Sequence, residues 1–244
     1  MDDPVVSETD RRTFLESRLH DVRARIDRAR DLAGRSDDVD LVVVTKTFPA
    51  SDVDLLAELG VRDVGENRDQ EAKVKKAETD APDVRWHMIG RLQSNKVSSV
   101  ARWADVVESV DRASLVVPLA NAAGRADRVR PLGVLIQVSL DPPGADDRGG
   151  ASSTEVLDIA GLVASQEHLR LEGVMAVAPH PDTGIDPLAA FGQLAEVAAE
   201  VRRRYPDART ISAGMSEDLE QAVACGATQV RIGGAILGHR PFVQ

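Results

Sequence analysis

The sequence predicts a single α/β domain, a (βα)8 TIM-type barrel with an additional helix at its N-terminus. Three observations carry this expectation. Short β-branched apolar runs alternate with amphipathic stretches, and eight such runs can be counted. Runs such as Leu41-Val42-Val43-Val44 are apolar without interruption, the pattern of parallel strands covered on both faces by crossover helices. At 244 residues the chain also has the length at which such barrels close as one unit. Eight units favour closure. A doubly wound open sheet is the competing arrangement, because alternation does not by itself close a sheet. One domain is expected over residues 1–244.

The first helix is expected from Arg11 to Ala33, since Leu15, Leu19, Val22, Ile26 and Ala29 recur at three- and four-residue steps with charges between them. The strands are placed at Leu41 to Thr45, Val61 to Gly65, Val84 to Ile89, Val106 to Ser109, Leu132 to Val138, Leu171 to Ala176, Arg209 to Ser212 and Gln229 to Ile232. Between them lie helical patterns at Asp52 to Leu59, Arg68 to Ala77, Asn95 to Ala101, Arg112 to Arg125, Thr154 to Ser165, Pro187 to Tyr205 and Glu217 to Cys225. Asp141 to Ser153 is polar and rich in glycine and proline, and reads as a mobile loop after the fifth strand.

Composition narrows the classes of function. A net charge of −10 argues against nucleic acid and anionic membrane as partners, because both need clustered positive charge. No apolar run approaches the roughly 20 residues that span a bilayer. The opening Met1-Asp2-Asp3 carries no basic and apolar signal, so a cytoplasmic protein is expected. The single Cys225 forms no internal disulfide and reads as a small core residue. His87, His180 and His239 come from separate segments without metal-ligand spacing; each reads as a satisfied, partly buried histidine, and no metal is expected.

In parallel α/β folds, ligands bind beyond the C-terminal ends of the strands, so the polar residues there are the candidates for a site. Only five of the 30 basic residues are lysines. Four occur in surface-like contexts, whereas Lys46 follows a buried strand directly. Desolvation at a barrel mouth lowers a lysine's pKa, and the neutral amine attacks aldehydes. A snorkelling lysine, or one bridged to Glu66, is the competing reading. Ser212-Ala213-Gly214-Met215-Ser216 and Arg231-Ile232-Gly233-Gly234 end the seventh and eighth strands, where barrels commonly hold phosphate on backbone N–H groups. Against this, Ser216 could simply be an N-cap and the glycines simply turn the chain. Asn67-Arg68-Asp69-Gln70 fits a capping box, and the Asn67 amide is also in reach of a ligand oxygen. No nucleophile elbow is present.

Taken in order, these motifs resemble the pyridoxal phosphate homeostasis proteins, relatives of the N-terminal barrel of alanine racemase. The resemblance runs from Leu41 to Arg240. It rests on Val44-Thr45-Lys46-Thr47 with Pro49, on Gly65-Glu66-Asn67 with Gln70-Glu71, and on Trp86-His87-Met88-Ile89-Gly90-Arg91-Leu92-Gln93-Ser94-Asn95-Lys96. It continues through Gly173-Val174-Met175-Ala176, Gly214-Met215-Ser216-Glu217-Asp218 and Arg231-Ile232-Gly233. The resemblance implies pyridoxal 5'-phosphate (PLP) as cofactor, held as an imine on Lys46. It further implies that Ser212, Ser216, Gly233 and Gly234 surround the phosphate and that Arg231 faces the pyridine nitrogen. Two positions depart from the family pattern: Gly234 stands where a Thr or Ser is usual, and Asp147-Arg148-Gly149-Gly150 replaces a lysine-bearing loop.

An arginine at the pyridine nitrogen disfavours its protonation and so weakens the ring as an electron sink. Racemisation also needs acid and base on opposite faces, and the only tyrosine, Tyr205, reads as a packing residue of a long helix. The expectation is therefore a monomeric, non-catalytic carrier in PLP homeostasis, transiently meeting PLP-dependent apoenzymes. The alternatives are a PLP-dependent racemase or lyase, with His87 or a partner subunit as second acid or base, and a cofactor-free aldolase using Lys46 on a sugar phosphate. Lys96 is the rival attachment site.

Overall fold

The computed structural model describes residues 8–142 and 149–238. Helix α1 (Glu8–Leu32) precedes β1 (Asp40–Val44), α2 (Ala50–Glu58), β2 (Asp63–Glu66), α3 (Asp69–Glu78), β3 (Arg85–Met88) and α4 (Val97–Trp103). There follow β4 (Val106–Val110), α5 (Val116–Arg125), β5 (Leu132–Gln137), α6 (Ser153–Ala164), β6 (Leu169–Met175), α7 (Pro187–Arg204), β7 (Thr210–Ser212), α8 (Leu219–Ala224), β8 (Gln229–Ile232) and α9 (Gly234–Leu237). The eight strands pair in sequence order, and β8 closes on β1, so the sheet is a parallel barrel rather than an open one.

All eight expected strands are present, with ends shifted by local hydrogen bonding. Val61, expected to open β2, instead ends α2: Gly60 takes φ +82° and the Val61 N–H reaches back to the Leu56 carbonyl. That is how a helix satisfies its last carbonyls. The helices expected at Asn95 and Arg112 each open with a 3-10 turn before the α-helix proper. The capping box expected at Asn67 is absent: the residue preceding α3 is Arg68, with no side-chain cap bond. Two elements escaped the sequence reading, the 3-10 turn Pro181–Thr183 and the one-turn helix α9.

Strand alternation divides the core in two. Val43, Val64, Trp86, Val107, Val134, Ile136, Val174, Val230 and Ile232 face the helices and join one large apolar cluster. The barrel interior holds a second, much smaller cluster of Val106, Leu135 and Met175, with Val177 against it. Buried polar side chains occupy the other inward positions: His87 on β3, Glu108 on β4, Ser212 on β7, and Gln229 and Arg231 on β8. In helix α1, Leu15, Leu19, Val22, Ile26 and Ala29 form the buried stripe, packed on α8 and α9. Tyr205 caps α7 and packs against the main cluster, near Gly161 of α6.

Candidate functional site

The β8 to β1 register sets Arg231 opposite Val42, which carries the end of β8 and the loop after β1 to the same rim. There a cavity of about 550 Å³ opens at the C-terminal mouth of the barrel. Five of the seven residues singled out from the sequence line it: Lys46, Ser216, Arg231, Gly233 and Gly234. Segment 177–181 and Pro187 form the facing wall.

Lys46 is half-buried just beyond β1. The next residue, Thr47, has φ +71°, a left-handed backbone that costs a non-glycine residue roughly 1–2 kcal/mol. Its N–H is held by the Glu71 carboxylate. Glu66, one possible partner for Lys46, is instead bridged by Lys75, 2.6 Å away, and accepts from Thr45 Oγ1 at 2.6 Å. Lys75 is 4% exposed. The reading of every lysine but Lys46 as surface-like therefore fails for Lys75, whose ammonium is drawn inward by Glu66, Glu71 and the Thr45 carbonyl. Burial pushes the Glu66 carboxyl up, and Lys75 only partly offsets this.

The rim of the cavity comes from two loops. Gly214 takes φ +93°, and a Cβ there would lie 2.7 Å from that of Ala222, so the turn out of β7 requires glycine. Gly233 is pressed on β1, where a Cβ would come within 3.1 Å of the Val44 carbonyl oxygen. Gly234 has open space: nothing lies within 4 Å of a Cβ built on it. Ser216 is not the N-cap of α8, a place held by Asp218.

Arg231 is 4% exposed. It donates through Nη1 to the Ser212 carbonyl at 2.8 Å and hydroxyl at 2.6 Å, and through Nη2 to the Ala176 carbonyl at 2.8 Å. Ser212 is therefore placed apart from the rim. Its hydroxyl donates to Glu108 Oε2 at 2.7 Å and accepts from Gln229 and Arg231, which uses its whole hydrogen-bonding capacity. Asn67 also lies elsewhere. It is exposed and lines a separate cavity of about 420 Å³ together with Lys96, the rival lysine.

Of the three histidines named, His87 is satisfied as expected but fully rather than partly buried, and His180 is exposed. His87 is fully enclosed in the barrel, with Nδ1 2.7 Å from Glu108 and Nε2 2.9 Å from Asp63. Burial would lower its pKa, but the two carboxylates outweigh this and push it up to about 9. His180 is exposed and lines the mouth; His239, like Asp147 and Arg148, lies outside the described residues. Among the described residues no cluster of His, Cys, Asp or Glu could hold a metal ion, and no helix is long and apolar enough to cross a membrane. The sequence reading missed Glu108, Gln229 and Asp63. For Gln229 a signal was available, since it and Arg231 alternate with Val230 and Ile232 along β8.

The family described as alanine racemase, N-terminal domain, matches residues 18–241. A pyridoxal phosphate homeostasis protein of Mycobacterium tuberculosis (strain ATCC 25618 / H37Rv) is 42% identical over 252 aligned residues, covering 95% of each chain. A protein of the same name from Escherichia coli (strain K12) is 36% identical over 228, covering 92% of this chain and 96% of its own. The solved structure of PipY from Synechococcus elongatus PCC7942 with PLP bound superposes with a TM-score of 0.78 at 32% identity, covering 92% of this chain and all of PipY. Barrel, rim and relatives agree: the chain belongs to the pyridoxal phosphate homeostasis protein family, built on the alanine racemase N-terminal barrel.

Proposed function

We propose that the protein binds PLP in the mouth cavity, joined through Lys46, and serves PLP homeostasis as a carrier that buffers, protects or delivers the cofactor. The carrying observation is that one cavity presents a half-buried amine, a buried guanidinium and a glycine-rich backbone rim. PLP offers an aldehyde, a ring nitrogen and a phosphate, and these three groups fit those three features. The open space over Gly234 leaves backbone N–H groups accessible there. Bound PLP supplies an electrophilic aldehyde and an electron-accepting ring.

The chain's own residues determine what that chemistry is used for. Lys46 Nζ forms a Schiff base with the aldehyde, releasing water, and keeps the aldehyde from other amines. Arg231 holds a permanent positive charge where the ring nitrogen would otherwise gain a proton, which restrains carbanion chemistry. Ser216, Gly233 and Gly234 hold the phosphate. Ser212 supports Arg231 from inside and does not itself reach the cavity wall. Asn67 stands apart and is assigned no contact with the cofactor. Apoenzymes that need PLP are the proposed transient recipients, and the working unit is a monomer in the cytoplasm.

A racemase or lyase reading needs a second acid or base. His87 does not serve it, being held between Asp63 and Glu108 within the barrel. The mouth offers His180 and Glu217, both exposed. Interconversion of alanine enantiomers at enzyme-like turnover, abolished by His180→Ala, would overturn the carrier reading.

The test of the site is borohydride reduction of the PLP-loaded protein followed by peptide mass spectrometry. The reduced adduct is expected on Lys46, and Lys46→Ala is expected to abolish it. A main adduct on Lys96, or equal covalent uptake by Lys46→Ala, would refute the assignment.

A further inference from the structure

The row of charge inside the barrel is not explained by binding at the mouth. Apolar layers commonly fill such barrels, and burying an ion carries a steep desolvation cost. Here Asp63, His87, Glu108 and Arg231 form a continuous chain from the lower end of β2 to the mouth cavity.

Hydrogen bonds and the opposite charges facing each group together set the charges along it. Arg231 and the Gln229 amide nitrogen can only donate, so the Ser212 hydroxyl accepts from both and must give its one hydrogen to Glu108 Oε2. Glu108 Oε1 accepts from Gln229 Nε2 at 2.8 Å. Burial pushes the Glu108 carboxyl up, but the facing His87 and Arg231 outweigh it and hold the group below its ordinary range, so it is a carboxylate accepting on both oxygens. His87 must then donate through Nδ1 to Glu108, and its Nε2 faces the Asp63 carboxylate, which is also an acceptor. The row reads as imidazolium, carboxylate, guanidinium, with Glu108 Oε2 3.7 Å from Arg231.

We infer that Glu108 is a positioning residue for Arg231, anchoring the guanidinium at the cavity wall through Ser212 and offsetting its charge, so that the field at the cofactor is set from within the barrel. His87, clamped by Asp63, holds Glu108 in place. The effect on the cofactor rests on the proposed binding of PLP at the mouth; the anchoring of Arg231 does not. The charged groups around the row are Glu108 of β4 and Asp218 before α8, both acting on Arg231, and Lys46 across the cavity. Asp63 of β2 and Asp40 of β1, with Arg85 of β3 beside them, surround His87.

The experiment has two arms and uses the full chain. Without cofactor, the Arg231 side-chain N–H groups should exchange slowly with solvent in the parent. They should exchange about tenfold or more faster in Glu108→Gln, since a charge-assisted bond is lost from the Ser212 hub. With PLP loaded, the pH at which the yellow colour fades reports the proton on the Lys46 linkage. Removing the negative charge in Glu108→Gln should move that midpoint down by about one unit. Removing the positive charge in His87→Gln should move it up, and Glu108→Asp should restore most of the parent value. A purely structural role would not give shifts of opposite sign. Unchanged exchange and unchanged midpoints in folded variants would overturn the inference. Should Glu108→Gln not fold, the upward shift in His87→Gln decides. If the parent itself stays colourless with PLP, the binding proposal fails, and the exchange arm alone settles the role of Glu108.

Discussion

Single atoms at the rim decide how tightly the proposed site can hold an anion. Open space surrounds the place a side chain on Gly234 would occupy. Gly234→Ser is expected to add one hydrogen bond to phosphate and tighten PLP binding about three- to tenfold, a gain of ~1 kcal/mol, readable by absorbance titration. Affinity that does not change would place the phosphate away from this residue. Gly233 behaves oppositely. A Cβ would sit 3.1 Å from the Val44 oxygen, so Gly233→Ala should lower both stability and affinity; a variant melting at the parent temperature would contradict that packing. Of the residues named from sequence, Lys46, Ser216, Arg231, Gly233 and Gly234 meet at one cavity because all sit at or just beyond the C-terminal ends of strands, a place readable from chain order. Ser212 and Asn67 were not separable from them by the same rule, since which way a strand-end side chain turns depends on its neighbours across the barrel.

At the scale of elements, α1 acts as a brace for the rim. Its buried stripe packs on α8 and α9, Arg25 bonds the Ser216 carbonyl at 3.1 Å and Glu220, and Arg11 joins Asp52 of α2 to the Leu237 carbonyl. Leu19→Ala, at a position 1% exposed, should cost ~2–5 kcal/mol in urea unfolding. Arg25→Ala should leave stability within about 1 kcal/mol, because that ion pair is partly exposed, yet speed PLP release by loosening the Ser216 loop. Unaltered release kinetics would detach α1 from the site. The helix itself was plain in the sequence, as its five-residue stripe has an unbroken helical period. Its packing against the last two helices was not, because periodicity gives a face without naming what covers it.

For the whole molecule, the interior charges set how stability varies with pH. His87 has its folded pKa raised from 6.5 to about 9, so the stability it contributes is complete below 6.5 and is lost as pH rises through about 9. Burial pushes Glu108 up, but His87 and Arg231 outweigh it and hold the group below 4.5. Its contribution is therefore present above 4.5 and lost as pH falls through that lowered value. Glu66 is raised by burial and acts with the sign of His87, losing stability as pH rises. Urea unfolding should accordingly show stability falling on the acid side below about pH 4.5 through Glu108 and falling on the alkaline side, where His87 alone accounts for a loss on the order of 2–3 kcal/mol between pH 6.5 and 9.5. His87→Gln should flatten the alkaline limb; an alkaline loss as large as the parent's would clear His87 of responsibility.

The sequence by itself determined the alternation of eight strands with helices, their order along the chain, and the strand ends at which a ligand is expected. These depend on local pattern: apolar runs, helical periods and the polar residues that interrupt them at strand ends. Closure of β8 on β1, the inward burial of Lys75, and the chain from Asp63 through His87 and Glu108 to Arg231 were decided only by the tertiary structure. Glu108 and Arg231 stand 123 positions apart, and the pairing of β1 with β8 joins Asp40 to Gln229 across 189. Such pairs carry no local signature, since they form only when barrel curvature turns alternate side chains of different strands toward one axis.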